Sequence, residues 1–358
     1  MFDDIRPFTD AEIPAAMQRL VAYPEFRPVC AYLFPERPFG EVAEAVVSCR
    51  TIDEFQARFM VPLVEALMAK STDGVTVEGM ERLDPRKRYL FVSNHRDITL
   101  DATFFQVLLF RAGLPTSEIT FGANLMQGGL VVDFGKSNKM FRVERPTTVS
   151  SPRVFLQCTV RLSEYIRWTI LDKRESVWIA QRNGRTKDGI DATDQGIIKM
   201  FSMAGDIADL NIVPLAVSYE WEPCDVRKAA EISALARDGF YEKKPGEDLQ
   251  SILTGITQPK GRVHYAVGEP VTAEDLAPWN EFPVNAFCRE TASLIDRRIR
   301  KGYRIWPNNR IALDLLNGTV SGGYTDAEKA AFEAHLAAAP EALRPVILKI
   351  YAGPLLQF

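Results

Sequence analysis

The sequence predicts an α/β protein with a largely parallel central sheet flanked by helices, an N-terminal helical unit and a C-terminal helical extension. From about residue 74, short β-rich runs alternate with helix-compatible stretches, which is typical of βαβ units. The run IVPLAVSY is apolar almost throughout, as in a strand that is covered on both faces. We therefore divide the 358 residues into a helical unit (1–72), an α/β core (73–270) and a helical extension (271–358).

Two capping boxes mark helices in the N-terminal unit, because a hydroxyl and a carboxylate three residues apart satisfy the first backbone N–H groups of a helix. The first is Thr9 with Glu12, and the second is Thr51 with Glu54. After the second box, apolar residues recur at helical spacing, as in Phe55, Phe59, Leu63 and Leu67. These residues predict helices that form one packing unit.

Seven runs predict the strands of the core: VTVEG, RYLFVSN, EITFGAN, FRVER, SVWIAQR, NIVPLAVSY and RVHYAVGE. Helices are expected between them over 101–112, 151–171 and 195–208. After about residue 270 the pattern is helical again, with an amphipathic stretch at 284–302 and an Ala-rich tail that Pro340 interrupts.

Composition excludes several classes of protein. A net charge of −4 argues against a nucleic-acid partner. The five cysteines form no CxxC pair, which predicts neither a zinc site nor a disulfide framework. The sequence has no run of 18 or more apolar residues, so no transmembrane helix is predicted. The first residues do not resemble a secretory signal. We expect a cytoplasmic protein; the basic run DRRIRKGYR leaves open a peripheral contact with an anionic surface at the inner membrane face.

Two short segments match protein-kinase signatures, but the rest of the sequence lacks the other features of a kinase. His95-Arg96-Asp97 and Asp133-Phe134-Gly135 spell kinase signatures, but no glycine-rich loop precedes them. The position of the metal-binding asparagine holds Ala102. Helices are predicted where a kinase has its β-rich lobe. We interpret residues 133–135 as a turn.

Two polar segments follow predicted strands directly. SNHRD follows YLFV, and QRNGR follows VWIA. Loops at the carboxyl ends of parallel strands meet at one edge of the sheet, so these segments are expected to share a site. His95 is followed by two aspartates, Asp97 and Asp101, either of which could orient its ring for proton transfer.

The strand YLFVSNH with the helix LDATFFQVLLF resembles the first motif of the glycerophosphate and lysophosphatidate acyltransferase superfamily. That motif has a histidine and an aspartate separated by four residues, usually after Asn or Ser, here Asn94. The resemblance implies that His95 is the general base and that an aspartate fixes its tautomer. Five residues separate His95 from Asp101, whose context "LD" is family-like, so Asp101 is favoured and Asp97 stays an alternative.

Three later segments resemble the family's further motifs in their order. MFRVER matches the second through Arg145, and IVPLAVSY resembles the fourth. In WIAQRNGRTKDG, Gly184 matches the glycine of the third, Asn183 replaces its glutamate, and the arginine is displaced to Arg185. The resemblance implies a phosphate-bearing acceptor, and guanidinium groups suit phosphate because they donate paired hydrogen bonds. The candidates to bind it are Arg145, Arg182, Gly184, Arg185 and Lys187, with Asn183 beside them.

The implied reaction is the transfer of a fatty acyl group to a hydroxyl of a glycerophosphate- or lysophosphatidate-like lipid precursor. The donor would be acyl-coenzyme A or acyl-carrier protein as co-substrate, and the mechanism requires neither a cofactor nor a metal. Because Asn183 removes a charge that the family usually carries, an amino-acid lipid is an alternative acceptor. A non-catalytic lipid-binding or scaffold protein on a decayed acyltransferase fold is a second alternative. The missing phosphate loop disfavours a phosphoryl-transfer enzyme.

Overall fold

A seven-stranded sheet forms the centre of the protein in the computed structural model, which describes residues 1–357. The strands are β1 (Gly74–Glu78), β2 (Leu90–Ser93), β3 (Glu118–Gly122), β4 (Met140–Val143), β5 (Val177–Ala180), β6 (Ile212–Tyr219) and β7 (Arg262–Val267). Their order is β1-β7-β6-β2-β5-β3-β4, and all neighbours are parallel except β6 and β7. The predicted α/β class is confirmed, and each of the seven predicted runs overlaps a strand.

Helices surround this sheet. They are α1 (Ile13–Ala22), α2 (Phe26–Leu33), α3 (Phe39–Val47), α4 (Ile52–Phe55), α5 (Val61–Ser71), α6 (Leu100–Arg111), α7 (Gly129–Ser137), α8 (Pro152–Leu171), α9 (Gln195–Phe201), α10 (Asp225–Asp238), α11 (Glu247–Thr257), α12 (Ala273–Leu276), α13 (Val284–Gly302), α14 (Pro307–Asn317), α15 (Asp326–Ala338) and α16 (Arg344–Leu356). A π-helical turn, Gln56–Met60, joins α4 to α5. No helix within residues 1–357 has the length and apolar character to cross a membrane.

The two faces of the sheet are covered by different helices. Phe91 of β2 packs in a cluster with the N-terminal helices and α6, whereas Leu90 and Val92 pack with α8, α9 and α13 on the opposite face. Burying a side chain such as Phe91 stabilises a fold by roughly 1.5–3 kcal/mol. The N-terminal helices therefore share a core with the sheet, and the division at residue 72 stays a prediction.

The C-terminal residues divide between two clusters. Helix α13 begins and ends where the amphipathic pattern predicts, and it packs on the sheet. Helices α14, α15 and α16 instead pack against α10 around Ile311, Phe332 and Tyr351. Helices α14, α15 and α16 are thus held on α10, the helix that follows the carboxyl end of β6.

Two local predictions were wrong. Residues 133–135 lie inside α7 rather than in a turn, because the Asp133 carboxylate accepts hydrogen bonds from Arg19 (2.7 Å and 2.9 Å) and Tyr23 (2.9 Å) of α1. Helix α9 ends at Phe201 and not at residue 208. A separate 3₁₀ turn, Ile207–Leu210, follows, and the Asp206 side chain caps it.

Candidate functional site

The loops after β2 and β5 lie side by side, as the sequence predicts. Strands β2 and β5 are parallel neighbours, so their carboxyl ends reach the same edge of the sheet. The backbone N–H of Gln181 donates to Ser93 O at 2.7 Å, and that of Thr186 donates to His95 O at 2.7 Å. We call residues 94–99 the base loop and residues 181–191 the arginine loop.

The Asp101 carboxylate lies in contact with the His95 ring. Its Oδ2 is 2.9 Å from His95 Nδ1 and accepts the backbone N–H groups of Arg96 (2.6 Å) and Asp97 (2.9 Å). Its Oδ1 accepts the Tyr219 hydroxyl at 2.7 Å. Burial, with the nearby Asp101 charge, raises the pKa of Tyr219 well above its ordinary value, which keeps this hydroxyl a donor. Four donors thus fix the carboxylate.

These contacts determine the tautomer of His95. An oxygen that accepts two backbone N–H groups carries no proton, so the ring must donate from Nδ1. In the neutral imidazole, Nε2 then keeps its lone pair, and it has no hydrogen-bond partner among residues 1–357. The ring is mostly buried, packs edge-on against Trp178 at 5.8 Å, and lines a cavity. In the neutral ring, Nε2 is therefore the nitrogen that can accept a proton from a ligand in this cavity.

Asp97 has a different position from Asp101. Its Oδ1 accepts the backbone N–H groups of Thr99 and Leu100, both at 2.9 Å, and so caps the start of α6. Its Oδ2 is buried and has no hydrogen-bond partner in the described chain. Helix α11 passes so close that a Cβ on Gly255 would lie 2.2 Å from Oδ2. The extra residue of the motif is thus absorbed in a bend that Asp97 stabilises, while Asp101 contacts the ring.

Lys260 lies near this bend and is fully buried. Its ammonium donates to the carbonyl oxygens of Gln258 (2.7 Å) and Ile256 (3.3 Å). Burial lowers its pKa from 10.5 to about 8, although the nearby Asp97 charge opposes this shift. At a pH between about 8 and 10.5, Lys260 is protonated in the unfolded chain but has lost its proton in the folded protein. Lys260 therefore destabilises the fold below about pH 8, and this cost is relieved as the pH rises.

Lys260→Met is expected to remove this pH dependence. The free energy of unfolding of the unchanged protein should rise relative to that of the variant from about pH 8 to pH 10. Urea unfolding at several pH values measures the difference, and Lys87→Met, at an exposed lysine, is the control. A difference that is constant across this range contradicts the lowered pKa.

A cavity of about 380 Å³ opens at this edge of the sheet. Five of the candidates from the sequence line it together with His95, namely Arg145, Arg182, Asn183, Gly184 and Arg185. Gly184 has a φ of +77°, a conformation in which glycine is not strained. An apolar wall completes the cavity, with Phe121, Leu125, Phe155, Leu162, Trp178, Ile197 and Met200 among its members.

Besides Asp97 and Asp101, two further candidates lie outside this cavity. The ammonium of Lys187 pairs with Glu231 of α10. Asn94 is fully buried, and its side chain bonds the backbone of Val217 (2.7 Å and 2.9 Å) and the Asp191 carboxylate (2.9 Å). Asn94 thus holds the end of β2 against β6, whereas Lys187 is held by α10.

The three arginines of the cavity have no carboxylate partner within residues 1–357, although acidic side chains also line it. Glu144 pairs with Arg142 at 2.6 Å, and Asp248 pairs with Lys243 at 2.5 Å. Burial lowers the pKa of Arg145, since its guanidinium loses water without gaining an acid in contact. Arg185 is 9% exposed, and its Nη1 is buried without a partner. The cavity therefore offers unsatisfied donors suited to an anion.

Sequence reasoning missed a buried polar cluster behind the base loop. It consists of Arg96, Asp191, Glu222 and Lys228, all within 5% of full burial. Arg96 lies inside the motif, but no periodicity or spacing identifies its partners. Tyr219 likewise has no local signal, because it is one of several residues at the end of an apolar strand. No group of three or more His, Cys, Asp or Glu side chains in residues 1–357 is arranged to hold a metal.

One protein-family model matches part of the chain. A family model described as Acyltransferase matches residues 74–218, which include the base loop and the arginine loop. Among solved structures, the 1-acyl-sn-glycerophosphate (LPA) acyltransferase PlsC from Thermotoga maritima is similar, with a TM-score of 0.42 and 13% identity. That match covers 80% of this chain and 93% of the PlsC chain. No curated protein matches the sequence.

Proposed function

Because residues 74–218 match the acyltransferase family model, we propose that this chain transfers a fatty acyl group from a thioester to a lipid precursor. The donor is acyl-coenzyme A or acyl-carrier protein, and the acceptor is a hydroxyl of a glycerophosphate- or lysophosphatidate-like molecule. One observation carries the proposal. The free Nε2 of His95 faces a cavity that also holds three guanidinium groups without carboxylate partners.

In this proposal His95 is the general base. Its Nε2 takes the proton of the acceptor hydroxyl while the oxygen attacks the thioester carbonyl, forming a C–O bond. The C–S bond then breaks, and the imidazolium returns the proton to the leaving thiolate. Asp101 stabilises the imidazolium, because its carboxylate lies 2.9 Å from Nδ1. No covalent enzyme intermediate is needed, since positioning both substrates makes the attack effectively intramolecular.

The arginines supply acceptor binding in this proposal. Arg145, Arg182 and Arg185 surround the cavity with donors that a phosphate would satisfy. Asn183 offers an amide where the family's motif has a carboxylate, so an acceptor with an amino-acid head group belongs in any substrate panel. The apolar wall, which includes Phe155, Leu162 and Met200, suits an acyl chain. A cytoplasmic location with peripheral contact at the inner membrane face fits such an acceptor.

Thiol release tests this function directly. The purified protein is incubated with acyl-coenzyme A or acyl-carrier protein, with and without glycerol 3-phosphate, lysophosphatidate or a lyso-amino-acid lipid. We expect thiol release that depends on the acceptor and an acylated product of matching mass. A folded protein that releases no thiol with any pair of substrates contradicts the proposal and favours the non-catalytic scaffold.

Arg145→Gln is expected to raise the KM for a phosphate-bearing acceptor by about tenfold or more, with kcat changed much less. Losing a charge-assisted hydrogen bond weakens binding by roughly 1.5–3 kcal/mol, and this contact exists before and during the reaction. Steady-state kinetics of thiol release against acceptor concentration measures the effect. Arg86→Gln, at an exposed arginine that pairs only with Asp84, is the matched control. An unchanged KM in Arg145→Gln removes this residue from acceptor binding.

A further inference from the structure

We infer that Arg96 is a positioning residue that, through Asp191, fixes the base loop relative to the arginine loop. The inference rests on the proposed function, in which the first loop supplies the base and the second binds the acceptor. Arg96 itself does not line the cavity, so it acts on the reaction through His95 and Asp101.

The side chain of Arg96 is fully buried and makes contacts in several directions. Its Nη2 donates to Asp191 Oδ2 at 2.6 Å and to the carbonyl oxygen of Gly189 at 3.2 Å, both in the arginine loop. Its Nη1 donates to Glu222 at 3.3 Å, and its guanidinium carbon lies 5.1 Å from the centre of the Tyr303 ring. One planar group thus joins the base loop to three other segments.

Asp191 completes the connection between the two loops. Its Oδ2 accepts Asn94 Nδ2 at 2.9 Å as well as the Arg96 guanidinium, and its Oδ1 accepts the Thr186 hydroxyl at 2.7 Å. Thr186 in turn donates its backbone N–H to His95 O at 2.7 Å. The cavity arginines Arg182 and Arg185 lie in the same arginine loop. The carboxylate of Asp191 is therefore the point at which both loops are held together.

The charges of the cluster are balanced, but the arrangement is costly to build. Lys228 Nζ donates to Glu222 at 2.6 Å and to Arg96 O at 2.7 Å, so two buried cations and two buried anions lie together. A buried ion pair is often no more stabilising than apolar side chains of similar volume. Guanidinium and carboxylate hydrogen bonds are directional, so the ions fix one orientation for each side chain. Apolar contacts would not fix these orientations.

This direction reaches the reacting atoms through the backbone. The N–H of Arg96 donates to the same Asp101 oxygen that holds His95, at 2.6 Å. The side chain of Arg96 is held by Asp191, and its carbonyl oxygen is held by Lys228. These two contacts therefore fix the positions of Asp101 and the His95 ring. A displacement of about 1 Å between reacting groups can cost about a hundredfold in rate. Arg96 should consequently affect kcat rather than acceptor binding.

Arg96→Lys tests the inference while keeping the buried positive charge. A lysine cannot reproduce the planar fork to Asp191, Gly189 and Glu222. We expect kcat for thiol release to fall by about tenfold or more, with the acceptor KM within about twofold. Arg262→Lys, at a half-exposed arginine that pairs with Glu220, is the control. Circular dichroism and thermal unfolding separate a slower enzyme from one that is partly unfolded.

Asp191→Asn and the double variant add a test of coupling. If Arg96 acts through Asp191, the second substitution should cost little once the first is present, so the losses in kcat will not add. Additive losses overturn the connection through Asp191. A loss confined to thermal stability, with kcat per active site unchanged in Arg96→Lys, assigns Arg96 to the fold alone.

A measurement without turnover keeps this inference separate from the proposed function. The chain has three histidines, so ¹⁵N spectra of their imidazoles are simple, and His95→Ala assigns the His95 signal. We expect the Nδ1–H tautomer at His95, and a loss of this single pattern in Arg96→Lys. An unchanged pattern together with an unchanged kcat overturns the inference. If the unchanged protein releases no thiol, the proposed function fails, and the tautomer pattern alone then decides the role of Arg96.

Discussion

His95→Ala is expected to lower kcat for acceptor-dependent thiol release by at least about a hundredfold, the usual effect of removing a general base. The reason is geometric: His95 Nε2 is the unprotonated ring nitrogen that faces the cavity, and Asp101 holds the ring from the other side at 2.9 Å. Alanine lacks all five ring atoms of the imidazole and has no group that can take a proton from a hydroxyl there. The measurement is single-turnover thiol release at saturating acceptor.

His335→Gln is the matched control for this substitution. His335 contacts Asp225 at 2.6 Å behind the sheet and does not line the cavity. Its replacement should leave kcat within about twofold, as for most positions away from a site. Equal rates for His95→Ala and the unchanged protein would contradict the assignment of His95, even if acyl transfer itself occurs.

Asp101→Asn is expected to lower kcat by roughly 10³- to 10⁴-fold, on the scale seen when the acidic member of a catalytic triad becomes an amide. The amide keeps the volume but removes the charge that stabilises a protonated His95. It also brings an N–H₂ group to a place where three N–H donors and the Tyr219 hydroxyl already converge. The profile of kcat against pH measures this effect, because more alkaline conditions cannot restore the lost charge.

Asp97→Asn is the comparison that makes the result specific. The amide oxygen can still accept the N–H groups of Thr99 and Leu100, so the cap of α6 survives and kcat should change by less than about fivefold. Equal losses at positions 97 and 101 would mean that both carboxylates orient His95. No loss at Asp101 would contradict its role in the reaction.

The central sheet could be predicted because each of its strands lies in a short run of apolar, β-favouring residues. Residues 90–92 are buried, and their unbroken apolar run predicts a strand that is covered on both faces. Asp133 shows where local patterns fail. Its sequence context suggests a turn, but Arg19 and Tyr23, more than a hundred residues earlier, hold it inside a helix. The π-helical turn at Gln56–Met60 likewise has no recognised local signal.

The candidate site divides in the same way. His95 and Asp101 are six residues apart, and the sequence alone brought them together as candidates, although their roles stay predictions. Arg96 was visible, but its partners Asp191 and Glu222 lie 95 and 126 residues away and meet it only because β2, β5 and β6 are neighbours. Long-range ion pairs depend on topology, which spacing along the chain does not encode. Lys187 shows the converse, because this cation lies near the motif but pairs with Glu231 of α10.

The unpaired arginines of the cavity give this protein two electrostatic fields of opposite sign. The whole chain carries a net charge of −4, so an anion is weakly repelled at a distance. Inside the cavity, Arg145, Arg182 and Arg185 attract the same anion, and low-dielectric walls focus their field. Added salt screens both effects over about 10 Å. Capture of a phosphate-bearing ligand should therefore depend only weakly on ionic strength, unlike capture by a uniformly basic surface.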